Sequence, residues 1–264
     1  MIIVEIEGRL GNQLFQYAFA KSLGYRLGAM VLIDEPHHKF DLPNFFQLRN
    51  FNALKNKLLR KIYRHRLRKK SVSNNECPKD VLNDLTNGTI YSGFFQSEKY
   101  FQTARDSILE EFVPHQKFIL EYEKYFKKGV RKSKNRLITI HVRGTDYLNY
   151  GSHLLPRDFY ANAIKVLEIE DDEIINVVTD DYEYAKSLLK GLGEFKFHSE
   201  SMMTDFQLLQ NSDLCIISNS TFAWWAAYLN RVNGAKILAP KYWLGINNSE
   251  EYPSGIMTDR FNWI

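Results

Sequence analysis

Cysteine is scarce: Cys77 and Cys215 are the only two among 264 residues. That is too few for a disulfide framework, and Cys215 sits in an apolar run where a reduced, buried thiol is expected. Such usage fits a reducing, cytoplasmic compartment. Long apolar runs are missing too. None approaches the roughly 20 residues that span a bilayer, and residues 1–7 (MIIVEIE) carry acids where a secretory signal needs bases. Neither a membrane span nor export is expected. The dinucleotide fingerprint G-x-G-x-x-G does not occur after the first strand, and no internal repeat or low-complexity segment is visible.

Acids are also absent between Asp41 and Glu76. Bases fill that gap: Lys55, Lys57, Arg60, Lys61, Arg64, Arg66, Arg68, Lys69 and Lys70. The whole chain has 35 bases against 31 acids, so outside this segment it is mildly acidic. Leu54, Leu58, Ile62 and Leu67 recur at helical spacing. The segment therefore reads as a solvated helix face, or as a surface for an anionic membrane or nucleic acid.

The rest of the chain alternates strands and helices. Residues 1–7 predict a strand, residues 8–13 a turn and residues 14–27 a helix; further strands are expected at 30–34 and 90–93. Residues 36–51 read as irregular, and helices are expected over 101–112 and 118–132. A charged stretch at 127–134 suggests a junction, dividing the chain into domains 1–132 and 133–264. The second half is more regular, with strands at 137–142, 174–179, 214–218 and 236–239, a short one near Phe195, and helices between them. Such alternation demands an α/β fold with parallel sheets.

Three strand ends in the second half carry polar groups, which a doubly wound sheet would align along one edge. The first bears His141, Arg143 and Asp146. Arg is the side chain best shaped to grip a phosphate bidentately, though a strand-end Arg also suits a surface ion pair. Asp180 and Asp181, at the second, suit a base or ribose; helix capping and a metal pair are the competing readings. The third is Ser218, Asn219, Ser220 and Thr221, ahead of an apolar helix whose free N–H groups would attract an anion. Arg143 and that helix end would together clamp a diphosphate. In the first half, Asn12 is placed to orient a substrate hydroxyl. Residues 93–101 (GFFQSEKYF) set polar groups among aromatics, either to stack on a sugar or to fill the core.

These segments resemble glycosyltransferase family 11, the α-1,2-fucosyltransferases, and in particular its bacterial members. The matching residues are 8–20 (GRLGNQLFQYAFA), 93–101, 141–147 (HVRGTDY), 179–181 (TDD) and 217–229 (ISNSTFAWWAAYL), in the same order and across nearly the whole chain. The resemblance implies a GT-B-like architecture of two Rossmann-like domains with parallel sheets facing a cleft, the first on the acceptor side and the second binding the GDP-sugar. It implies inverting transfer of L-fucose from GDP-fucose to the 2-hydroxyl of a galactoside in a surface glycan or O-antigen precursor, and no metal; the basic segment, for its part, would suit docking near a lipid-linked acceptor at the inner membrane surface. By position, Arg143 corresponds to the phosphate-binding Arg, His141 and Asp180 or Asp181 to the guanine-holding residues, and Ser220 and Thr221 to the diphosphate-facing helix start. Asp146 and Glu98 are the candidate bases; catalysis by leaving-group stabilisation, with Asn12 only orienting the hydroxyl, is the equal alternative. The family pattern H-x-R-R-x-D is broken at Gly144, which opens the alternative of another sugar nucleotide or acceptor. A further alternative, of another class, is an RNA- or membrane-binding module built on the basic segment.

Overall fold

Strands buried on both faces read as unbroken apolar runs, and helices between consecutive strands force parallel pairing. The computed structural model describes residues 1–36, 38–49, 51–129, 136–145, 153–198 and 200–264, without the side chains of 128 and 129. It holds two all-parallel sheets, one in each of two compact units.

The first unit comprises Met1–His115 and Glu251–Thr258. Its elements are β1 (Ile2–Glu5), α1 (Leu10–Leu27), β2 (Val31–Asp34), α2 (Leu42–Phe45), α3 (Ala53–Tyr63), β3 (Arg68–Ser71), α4 (Pro78–Asn83), β4 (Thr89–Ser92) and α5 (Arg105–Glu111). The sheet order is β2-β1-β4-β3. The core collects on α1, where Phe19 stacks on Phe95 at 3.8 Å and meets Tyr91 and Tyr100 edge-on. Three of the four aromatics of residues 93–101 thus fill the core: Phe95, Tyr100 and Phe101 are buried, and Phe94 is partly exposed.

The second unit comprises Gln116–Glu250 and Asp259–Ile264. It contains α6 (Gln116–Gly129), β5 (Ile138–Val142), α7 (Arg157–Val166), β6 (Ile174–Thr179), α8 (Tyr182–Leu189), β7 (Glu194–His198), α9 (Met202–Gln210), β8 (Leu214–Ile216), α10 (Thr221–Tyr228), β9 (Lys236–Ala239) and β10 (Asn262–Trp263). The order is β10-β9-β8-β5-β6-β7. Helix α10 is apolar all round after Thr221, and Ala223, Trp224, Trp225, Ala226, Ala227 and Tyr228 are buried. Trp224 stacks on Tyr228 at 4.6 Å and packs edge-on against Trp225 and Phe261.

Several expectations change. The turn at 8–13 is mostly the first turn of α1, which begins at Leu10 once Gly8, at φ +79°, has reversed the chain. The basic helix stops at Tyr63, and Arg68–Ser71 is an edge strand, paired with β4 by backbone bonds that need no apolar side chains. The 132–133 boundary lies outside the described residues. By contacts the chain divides between His115 and Gln116, α6 joins the second unit and residues 251–258 return to the first. Among the described residues, no helix is long and apolar enough to cross a membrane.

Candidate active site

In the second unit the chain runs from β5 outward to β6 and β7, then crosses to β8, β9 and β10 on the other side. The strand order therefore reverses between β5 and β8, the crevice where open α/β sheets bind ligands at their carboxyl ends. Pairing of Ile140 with Ile216 brings residues 141–143 alongside the segment that follows β8. His141 Nδ1 and Ser218 Oγ share a hydrogen bond of 2.8 Å across this gap. Burial pushes the His141 imidazole down to about 4; Asp180 opposes the shift and Arg143 reinforces it. The ring is neutral at pH 7.

Arg143 emerges just beyond β5, and the strand beside it supplies its partner. Asp180, one residue past β6, takes Arg143 Nη1 at 2.6 Å, the Gly144 N–H at 2.7 Å and the Thr145 hydroxyl at 2.6 Å. Three donors on one carboxylate fix the loop and the plane of the guanidinium. Asp181 has a different task, capping α8 by accepting the Tyr184 N–H at 3.0 Å. A Cβ on Gly144 would lie 2.5 Å from Asp181 Cβ and 3.2 Å from the Tyr184 ring. A second Arg has no room at this position in this arrangement.

Across the crevice, α10 starts at Thr221 with Ser220 as its N-cap residue. The Ser220 side chain makes no cap hydrogen bond, and the first turn contains no acid. The positive end of the helix dipole is thus not offset from within the helix, as an anion site requires. Asn219 is buried and its amide donates to the His153 carbonyl at 2.9 Å. Among the described residues, no group of three or more His, Cys, Asp or Glu side chains is placed to hold a metal ion.

The first unit repeats this logic between β1 and β4. Asn12 Oδ1, in the first turn of α1, accepts from Gln96 Nε2 at 3.0 Å, joining the loops that leave the two strands. Gln13 ties the Gly8 and Lys39 carbonyls and the Asp41 N–H to the helix, and Gln16 bonds the Gly93 carbonyl. Phe95 adopts a left-handed φ of +51° directly before Gln96, a local cost of about 1–3 kcal/mol that the buried ring offsets. Glu98 accepts the Thr258 hydroxyl at 2.7 Å. A cavity of about 310 Å³ lies in this unit, but its lining, which includes Tyr17, Lys21, Val31 and Arg49, contains none of the predicted site residues.

The expected residues thus form two groups. His141, Arg143, Asp180 and Ser218 make direct contacts in the second unit, with Asp181, Asn219, Ser220 and Thr221 beside them, whereas Asn12 and Glu98 belong to the first. Asp146 lies outside the described residues. Thr145 and Gln96 were not singled out on the sequence, although both sit inside quoted motifs; hydroxyls and amides carry no spacing signal of their own.

Comparison with known proteins agrees with this architecture. The O-antigen biosynthesis glycosyltransferase WbnK of Escherichia coli is 26% identical, over 93% of this chain and 96% of its own length. The alpha-1,2-colitosyltransferase of Escherichia coli is 23% identical, over 92% of each chain. Among solved structures, the NodZ alpha-1,6-fucosyltransferase soaked with GDP-fucose shares the GT-B-like fold with a TM-score of 0.55 at 15% identity, over 87% of this chain and 92% of that one. The sequence profile of glycosyl transferase family 11 matches residues 1–251, and the chain belongs to that family of glycosyltransferases.

Proposed function

We propose that this glycosyltransferase moves L-fucose from GDP-fucose to the 2-hydroxyl of a galactoside in an O-antigen or other surface-glycan precursor, with inversion at the transferred carbon and at the cytoplasmic face of the membrane. The observation that carries the reading is that an Asp180-anchored Arg143 follows β5 and α10 begins after β8, the two strands between which the sheet order reverses. The names of the relatives from Escherichia coli and of NodZ support the sugar chemistry.

As the bond from the sugar to the β-phosphate breaks, the departing diphosphate gains negative charge. Arg143 and the positive end of α10 stabilise it. A charge pair at about 4 Å is worth on the order of 4 kcal/mol at an effective dielectric near 20, roughly a thousandfold in rate. With the leaving charge met by the protein, the reaction needs no metal. Neutral His141 holds Ser218 and borders the nucleotide; Asp181 spends one carboxylate oxygen on its helix cap and has the other for the ribose or guanine. Asp180 acts through Arg143. The acceptor hydroxyl, oriented by Asn12, attacks from the opposite face and loses its proton to a base, for which Asp146 and Glu98 are the candidates.

A second reading is a different donor sugar. Gly144, where the family pattern has Arg, favours it, as does the colitosyltransferase among the relatives. A nucleic-acid module is set aside as the main activity by family membership.

Incubation with GDP-fucose and a panel of galactosides, with free GDP detected, tests the proposal. GDP should also raise the melting temperature more than UDP or dTDP, since a ligand at 100 times its dissociation constant adds about 2.7 kcal/mol. Equal responses would overturn the guanine assignment. Arg143→Ala should cost about a thousandfold in turnover with the fold intact; near-normal turnover would refute the clamp.

A further inference from the structure

Helix α3 is mounted with its polar side inward. Asn56 accepts the Ile33 N–H at 2.8 Å and donates to the Ile33 carbonyl at 2.7 Å. Arg60 reaches Asp34 at 2.9 Å. Arg64, one residue beyond the helix, meets Asp34 at 2.9 Å and Glu5 at 3.1 Å. Asp34 is buried, so these pairs fix the rotation of the helix. Leu59, with Leu67 farther on, packs against the sheet core. Leu54, Leu58 and Ile62, one above another at every fourth position, face outward at 82%, 62% and 49% exposure.

Lys55, Lys57 and Lys61 flank this ridge, all exposed. The absence of acids from 42 to 75 leaves the ridge without a negative neighbour in its own segment. We propose that α3 is a membrane-docking helix, its Leu54–Leu58–Ile62 ridge entering the headgroup region of an anionic bilayer while the three lysines engage lipid phosphates. An apolar ridge bordered by lysines fits that interface. Two copies of the chain meeting through this face would oppose lysine to lysine, and a nucleic acid would leave the ridge unburied. Because Arg60 and Arg64 anchor the helix at the carboxyl ends of β2 and β1, docking would set the same sheet edge that carries Asn12 beside the membrane. The inference is independent of which sugar is transferred.

Co-sedimentation of the full chain with vesicles tests it. The protein should pellet with vesicles of equimolar phosphatidylcholine and phosphatidylglycerol, and far less with phosphatidylcholine alone. Replacing Lys55, Lys57 and Lys61 together by Gln should lower partitioning about 100-fold, near fivefold for each Lys. Leu54→Ser, Leu58→Ser and Ile62→Ser combined should abolish it while leaving GDP release on a soluble acceptor unchanged. Because these side chains are exposed, the fold tolerates the change, which circular dichroism verifies. In a separate variant, Leu58→Trp should blue-shift on vesicle addition and be quenched by brominated lipid. Vesicle binding unaltered by both triple variants would overturn the proposal. So would ridge-dependent dimerisation, or lysine-dependent RNA retention, without vesicle binding.

Discussion

At the scale of single residues, Gly144 is the position where the loop tolerates least. Its missing side chain lets the backbone press against Asp181 while its N–H reaches Asp180. Gly144→Ala drives a Cβ into a helix cap that cannot easily retreat. It should cost roughly 1–3 kcal/mol of stability and, by displacing Arg143, about tenfold or more in turnover. Gly144→Arg, which restores the family pattern, should do worse rather than better; steady-state kinetics and GDP binding would show it. His141 makes a second prediction. Its folded pKa is depressed to about 4 from 6.5, so below about pH 6.5 the unfolded chain binds a proton that the native state refuses. Its contribution is therefore intact above pH 6.5 and falls away toward pH 4, by on the order of 3 kcal/mol. His198, also down to about 4, adds to the loss, whereas Asp205, pushed up to about 7 by burial, runs the other way. In His141→Asn, the fall in melting temperature between about pH 7 and pH 4.5 should shrink relative to the unmodified chain; an unchanged fall would contradict the assignment.

At the scale of elements, legibility followed the physics. The strands at 138–142, 174–179 and 236–239 were readable because strands buried on both faces are continuously apolar. With the end of the first came Arg143, and Ser220 came with the apolar run of β8. Edge strand β3, RKKS, was not readable, since its pairing rests on backbone bonds and its side chains face water. Asp180 was noticed for its charge, but its hold on Arg143 depends on the two strands being neighbours, which no local pattern encodes. The start of α1 escapes the sequence because Gly11, Asn12 and Gln13 look like turn residues; Gln13 instead spends its amide on the Gly8 carbonyl and on a carbonyl and an N–H of the distant 39–41 segment. Gln13→Ala removes three part-buried hydrogen bonds and should cost about 1 kcal/mol or more, measurable by urea denaturation.

At the scale of the whole molecule, neither unit is a continuous piece of chain. Residues 251–258 return to the first, where the Ser254 N–H bonds the Asn74 carbonyl and Thr258 bonds Glu98. Residues 259–264 go back to the second, adding β10 beside β9 and setting Trp263 against Trp243 and Phe261. Removing residues 251–264 should therefore weaken both units at once; calorimetry that found the truncated chain melting like the intact one would refute this. The profile match ends at residue 251, just before this stitching begins. For synthesis on the ribosome the arrangement has a particular consequence. A chain that begins its first unit at residue 1 cannot close it until residue 258 has been made, so most of the second unit is synthesised while the first is still open, and a premature stop between codons 251 and 258 would leave both units incomplete.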